Sequence, residues 1–508
     1  MKASTIVAIE IASSKIKGAV ATVDPAGTVN VVAVEEINNT DCVRHGRVQN
    51  VVAVSSAVNE IIRKLENNPS VAPAKISALV LPLGGRSMSG IQTSATLSFP
   101  GEIEITNDSV NRLKQEAIKD VISQKVIEDI IPRVFYVNNM EEKIVVGTYG
   151  KQLRGDFLLV ACSNNIRQNL ERIKWETIQP KDIRFVLRPM AVADLVLTAS
   201  ERQLGCMLVD FGAETTTVSI YKDGAPMYLA TLPMGSRLIT RDLKAGMSLT
   251  EERAEAFKIS LSKGDSSAEN LQEGNQAEIN NYVHARAGEI AANIANQLVL
   301  AGLKASDLPD GIILTGGGAK LRDFSNMLAA QSKMKVRMAS IPPTISFASA
   351  AMRTPDNIDV VALLAEAAKL ESTPECLTYP PKPVIEIEPE PEPETEPAPQ
   401  YEDAHKYTPR EYTPREPERN PYTPASGRRS NVPGLDDPEL LKDETEDLPG
   451  EANPHYPGHH PRGNHGASTF GGLRKKLNQV RESFVGLFGG MPEEGEDPDY
   501  EVDTDEDE

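Results

Sequence analysis

Hydrophobic and polar positions change rhythm along this chain. Apolar and β-branched residues fill three short runs at the start, Thr5 to Ile11, Lys15 to Val23 and Val29 to Val34, with Asp24-Pro25-Ala26-Gly27 between the last two. Such runs bounded by turn formers predict strands joined by hairpins. The period then lengthens, and Val51, Val54, Val58, Ile61, Ile62 and Leu65 fall on one face of a helix. The strand-rich order returns from Gly205 to Pro233, with Lys222-Asp223-Gly224 as its hairpin turn. Between the two, Pro82 to Arg154 differs in composition. Strands, a helix near Asp108 to Ile127 and a turn at Asn138-Asn139 make it read as an inserted subdomain. Further on, Ile279, Val283, Ala287, Ile290, Ile294 and Leu298 predict a long helix over Glu278 to Leu303 with one buried face. It delivers the chain to GIILTGGGAKLRDF (Gly311 to Phe324), a buried strand stopping at three glycines before a helix.

Periodicity ends after Ser372. The acidic, proline-punctuated run Glu386 to Pro397 favours extended polyproline II, and the Tyr-Thr-Pro repeats at Tyr407, Tyr412 and Tyr422 have no apolar face. A disordered linker over residues 372–469 is expected, spanning roughly 50–60 Å as a flexible coil. One amphipathic island follows, Phe470 to Gly490, bounded by glycines. Leu473, Leu477, Val480, Phe484, Leu487 and Phe488 share a face, flanked by Arg474, Lys475, Lys476 and Arg481. With no core of its own to join, this helix is expected to lie on an anionic membrane surface, a protein-binding helix being the alternative.

Composition narrows the picture. At 508 residues the chain exceeds one ordinary core, so two compact domains and a tail are expected. The net charge of −20 argues against general nucleic-acid binding. More than half of it comes from the tail Glu493 to Glu508, which holds eleven acids and no base. Cys42, Cys162, Cys206 and Cys376 stand singly, as suits a reducing compartment. The apolar start is broken by Glu10, Lys15 and Lys17 and reads as a strand, not a signal peptide. No run approaches the roughly 18 apolar residues of a membrane span. The histidines at 455, 459, 460 and 465 have no cysteine or ordered carboxylate among them and read as solvated linker, not a metal tract.

The candidate chemistry lies in a strand-turn-strand pattern that occurs twice, about 200 residues apart. The first copy carries Glu10 and the small run Ala12, Ser13, Ser14; the second carries Asp210, Gly212, Ala213 and Thr215. Two hairpins whose backbone amides face each other form a clamp for a polyphosphate, and an acid in each is placed to hold Mg²⁺ directly or through water. The turn Gly316-Gly317-Gly318 admits a ligand that any Cβ would block. Each feature has a plainer reading: Asp210 as a structural turn residue, Lys15 as a solvated strand lysine, and Glu255 with Lys258 as an exposed helix pair.

Together the duplicated hairpins, the glycine turn, the insertion and the tethered amphipathic helix resemble the FtsA family of actin-like bacterial division proteins. The resemblance implies a two-lobed α/β actin-like ATPase fold, closing on ATP and Mg²⁺. In chain order it implies first-lobe core over 1–81, insertion over 82–154 and first-lobe core again over 155–204. Second-lobe core would follow over 205–240, an upper subdomain over 241–309, second-lobe core over 310–344 and a helix packed on the first lobe within 345–371. The linker, the membrane-targeting helix over 470–490 and the acidic tail over 491–508 complete the order. The first phosphate motif would fall on Glu10 to Lys15, the second on Asp210 to Thr215, and the adenosine motif on Gly316 to Gly318. Glu255 and Lys258 would meet the ribose and base. Related phosphate loops usually carry glycine where this chain has Ala12, Ala213 and Glu214, and a carboxylate at Glu214 repels phosphates unless it points away or binds metal. Slow, regulatory ATP turnover is therefore expected. The implied partners are the C-terminal peptide of FtsZ, further copies of the chain in filaments, other division proteins and anionic lipid of the inner membrane. A pilus-type scaffold and a small-molecule kinase of the same fold are the alternatives.

Overall fold

The computed structural model describes residues 4–38, 42–119, 121, 125–263, 273–370 and 375–380. The amphipathic helix, the acidic tail and nearly all of the expected linker lie outside them. The chain opens with β1 (Ser4–Ile11), β2 (Lys15–Val23) and β3 (Val29–Asn38), an antiparallel meander in which Ala8 faces Ala19. A small hairpin of β4 (Val43–Arg44) and β5 (Arg47–Val48) precedes α1 (Val51–Asn67). The Asn50 side chain accepts from the Ala53 N–H and caps that helix. After β6 (Lys75–Ile76), β7 (Leu79–Leu83) pairs in parallel with β1.

The insertion follows, as β8 (Ser89–Glu104), α2 (Asn107–Lys119), β9 (Val126–Val137), β10 (Met140–Glu142) and β11 (Tyr149–Cys162). The expected helix is shorter than Asp108 to Ile127. Val126 already begins a strand, because VIEDIIPRVFYV is rich in β-branched and aromatic residues. Then come α3 (Asn164–Glu171), β12 (Ile183–Leu187), α4 (Arg188–Val196) and α5 (Ala199–Leu204). The second meander is β13 (Cys206–Phe211), β14 (Thr216–Lys222) and β15 (Ala225–Leu232). Its helices are α6 (Arg237–Gly246), α7 (Glu251–Lys263) and α8 (Glu273–Leu300), before β16 (Ile312–Thr315), α9 (Phe324–Ser332) and β17 (Val336–Met338). The described chain closes with β18 (Ser346–Phe347), α10 (Ile358–Ala367) and β19 (Leu377–Thr378).

Two sheets carry the fold. The first has the order β12-β7-β1-β2-β3-β18 and is covered on both faces. Val7 and Ile9 pack beneath α1, while Ile6 and Ala8 point the other way into a core shared with α4 and α10. Burial on both sides explains why β1 reads as a nearly unbroken apolar run. The second sheet has the order β10-β9-β11-β8-β15-β14-β13-β16-β17. By hydrogen bonding the insertion thus continues the second lobe's sheet, through Ser89 opposite Ala230, although its sequence interrupts the first lobe. Residues at its base, Met88, Leu158, Val160 and Cys162, join the first-lobe core, so it rests on both.

Residues 375–380, which the sequence placed in the linker, are part of the described fold. Leu377 pairs with Ile76, the Cys376 N–H donates to the Thr5 carbonyl, and the Ser77 N–H donates to the Cys376 carbonyl. This strand pairing and two backbone hydrogen bonds hold the segment on the first lobe.

Candidate nucleotide-binding site

The two expected phosphate turns have the same backbone closure. In the β1–β2 turn the Ala12 N–H donates to the Lys15 carbonyl at 3.0 Å, and in the β13–β14 turn the Gly212 N–H donates to the Thr215 carbonyl at 2.9 Å. Ala12 therefore stands where Gly212 stands. The third element is the turn after β16. Gly316 has φ 91°, and a Cβ there would lie 2.4 Å from the Phe211 carbonyl oxygen and 2.6 Å from Asp210 Oδ1. A Cβ on Gly318 would meet the Phe211 ring at 2.8 Å, whereas one on Gly317 would meet nothing within 4 Å. Gly316 and Gly318 let this turn nest against β13, and Gly317 alone opens onto free space.

Both turns and the glycine turn line one cleft of about 940 Å³, and Glu10, Lys15, Asp210, Glu214, Glu255 and Lys258 also reach it. Every residue expected to touch nucleotide or metal is thus brought to one place, though not every side chain points into it. The Lys15 Nζ lies 2.6 Å from Glu36 Oε1 on β3. On α7, Lys258 is buried and bonds Glu255 Oε2 at 2.7 Å, Thr240 Oγ1 at 3.0 Å and the Ser236 carbonyl at 3.3 Å. Burial lowers the Lys258 pKa against the opposing pull of Glu255. The pair is a tertiary anchor of α7 to α6 as well as a wall of the cleft.

The Glu214 carboxylate is taken up by partners around the β13–β14 turn. Its Oε1 lies 3.0 Å from Arg241 Nη2 and 3.5 Å from Arg237 Nη1, and its Oε2 accepts from the His45 N–H at 2.7 Å. Arg237 also donates from Nη2 to the Ser13 carbonyl of the first turn, at 3.2 Å. The repulsion expected between Glu214 and phosphate is absorbed by these cations. Gly235 makes the arrangement possible, since a Cβ there would lie 2.3 Å from the Ala213 carbonyl oxygen.

The floor of the cleft holds groups that sequence reasoning missed. Arg188, the first residue of α4, places Nη1 2.6 Å from Asp210 Oδ2 and 2.9 Å from Asp359 Oδ1. Burial disfavours its charge, but Asp210, Asp359 and Glu10 outweigh that and hold its pKa above the ordinary value. Glu10 is pushed up to about 8 by burial first and by Asp359 next, against Lys17 and Arg188. Asp210 is raised to about 6, because burial outweighs the neighbouring guanidinium. Glu10 Oε2 is buried without a hydrogen-bond partner among the described residues. Lys17 donates to Asn357 Oδ1 and the Asp356 carbonyl, tying β2 to the start of α10.

A family model described as "Cell division protein FtsA" matches residues 207–362, the span that carries the second turn, α7, α8 and the glycine turn. The FtsA protein of Porphyromonas gingivalis is 29% identical over 353 residues, 66% of this chain and 73% of its own length. That of Borreliella burgdorferi is 25% identical over 346 residues, 65% of this chain and 82% of its own. The chain is similar to the FtsA family over most of its described residues. Among solved structures, a chain of the "PilM-PilN type IV pilus biogenesis complex" superposes with a TM-score of 0.52 at 14% identity, covering 72% of this chain and 98% of that one. The fold is therefore the two-lobed actin-like one, and the sequence kinship favours an FtsA-type division protein over a pilus-type scaffold.

Proposed function

We propose that this chain binds ATP between its lobes and anchors FtsZ filaments to the cytoplasmic face of the inner membrane at the division site, helping to assemble the septal ring. The observation that carries the nucleotide part is the meeting of two equivalent turns with the open face of Gly317 in one cleft large enough for a nucleotide. The backbone amides of both turns would bind phosphate oxygens, Glu255 and Lys258 would border the ribose and base, and Gly317 would let the adenosine approach the backbone. ATP turnover would be slow and regulatory.

Mg²⁺ was expected on Glu10 and Asp210, held directly or through water. These residues do not fit a directly held ion. Asp210 is paired at 2.6 Å with the Arg188 guanidinium, and the described residues contain no cluster of three potential metal ligands. An ion arriving with ATP would be held by the phosphates and by water.

The tether rests on kinship and on sequence. Among the described residues no helix is long and apolar enough to cross a membrane. Attachment would instead come from Leu473, Leu477, Val480, Phe484, Leu487 and Phe488, with Arg474, Lys475, Lys476 and Arg481 facing anionic lipid. Each buried apolar side chain contributes about 1.5–3 kcal/mol at most, and each cation near the surface about 1 kcal/mol. The region 241–309 would receive the FtsZ tail peptide, and the insertion would contact further copies or other division proteins. Cosedimentation with anionic vesicles tests the reading: FtsZ should pellet only when this chain is present, and more so with ATP. FtsZ remaining in the supernatant while the chain itself pellets would refute the tether.

A further inference from the structure

Arg188 sits where the two lobes converge. It follows β12 directly, and its Nη1 bridges Asp210, at the end of β13 in the second lobe, and Asp359, in the first turn of α10. Its side chain is 18% exposed, and that exposed part lines the cleft beside Glu10 and both phosphate turns. Both ion pairs engage the same nitrogen, and among the described residues no hydrogen bond engages Nη2. A guanidinium carries five donors in a rigid fork suited to phosphate oxygens, so donors remain after both carboxylates are served.

The electrostatic balance points the same way. Asp210 and Asp359 lie on the cleft floor beside Glu10, and a polyphosphate arriving above these two carboxylates without a cation between would be repelled. A cation must stand between them. In a site where acids hold a divalent ion, that cation comes with the ligand; here one is already covalently present, and it occupies the near oxygen of Asp210.

We propose that Arg188 is a built-in counter-cation for the nucleotide's phosphates, so that this chain binds ATP with little dependence on divalent metal. The inference rests on the ATP reading above and makes Arg188 a binding residue for the terminal phosphates. Asp210 and Asp359 act as positioning residues that fix its guanidinium.

The test is calorimetric titration of the full chain with ATP in EDTA and in Mg²⁺, repeated for Arg188→Gln and Arg188→Lys. Wild type and Arg188→Lys should bind with affinities within about threefold in the two conditions. Arg188→Gln, which keeps a polar group of similar reach but loses the charge, should bind at least about tenfold more weakly in EDTA than in Mg²⁺. Melting curves report whether each variant is folded, and wild type with Arg188→Lys decides the question if the glutamine variant is not. A wild type that loses more than about tenfold in EDTA overturns the inference while leaving the ATP site intact. Absence of ATP binding by wild type in both conditions overturns the ATP reading and this inference with it.

Discussion

The carboxylate of Glu214 accepts the backbone N–H of His45 across the cleft, at 2.7 Å. One residue belongs to the β13–β14 turn and the other to the tip of the β4–β5 hairpin in the first lobe. His45 has φ 50° and is followed by Gly46 at φ 74°, so the tip is held in a left-handed conformation that a non-glycine residue rarely adopts unaided. The same carboxylate neutralises Arg237 and Arg241, and Arg237 reaches back to Ser13. The β1–β2 and β13–β14 turns are thereby clasped through one buried acid.

Glu214→Ala should therefore cost stability. It removes the carboxylate partner of the half-exposed Arg241 and the partly buried Arg237 and leaves the His45 N–H without its acceptor, which together are worth about 1–3 kcal/mol after screening of the exposed Arg241. Glu214→Gln, which keeps an acceptor for His45, should lose less. Urea denaturation ranks the three proteins, and hydrogen exchange at residues 43–48 should quicken in the alanine variant. Equal stability of all three would mean that the clasp does not hold the lobes.

The glycine turn separates packing from binding. Gly316→Ala places a Cβ at positive φ against the Phe211 carbonyl, and should destabilise the fold by about 2 kcal/mol or more. Gly318→Ala should also destabilise, through its contact with the Phe211 ring. Chemical denaturation measures both, and wild-type stability in either would mean that the turn can shift away from β13.

Much of this was legible in the sequence. The two meanders, α1, the long α8 and the strand before the glycines follow from local period and turn residues, and the duplicated turns located the cleft. Arg188 was missed because its partners lie 22 and 171 residues away, and no local pattern links them. The available signal was its place immediately after the carboxyl end of a parallel strand, where ligands gather in open α/β sheets. Glu214 raised a concern that only tertiary structure could answer, since Arg237 and Arg241 face it only once α6 folds over the turn. The insertion's attachment to the second sheet rests on a single strand contact and has no local signature.

Stability should fall as pH rises from about 5 to about 8. Glu10 has a folded pKa of about 8 against an ordinary 4.5, so in this window the folded chain keeps a proton that the unfolded chain releases. Its stabilisation is complete below the ordinary value and is lost as pH passes the folded one. The slope from one such proton is at most about 1.4 kcal/mol per pH unit, and Asp210, raised to about 6, adds to it at the acidic end. Glu10→Gln should flatten the profile, as measured by urea midpoints across the window. An unchanged profile would place the titrating group elsewhere.

The acidic tail should oppose membrane attachment. Its eleven acids lie close in sequence to Arg474, Lys475, Lys476 and Arg481, and acids that come within a Debye length of about 8 Å of these cations would compete with anionic lipid for them. Deleting residues 493–508 should strengthen monomer binding to anionic vesicles, most at low salt, while Phe484→Asp should abolish it with or without the tail. Filaments presenting many helices would gain avidity. Affinity unaffected by the deletion at every salt concentration would assign the tail another role.

Titration of ATP into wild type and Gly317→Val by calorimetry tests the nucleotide cleft most directly, because Gly317 touches no other part of the fold through its Cβ position and faces only the cleft. The account predicts one ATP bound per wild-type chain and at least about tenfold weaker binding by the valine variant at an unchanged melting temperature. Equal affinity in two equally folded proteins would contradict it.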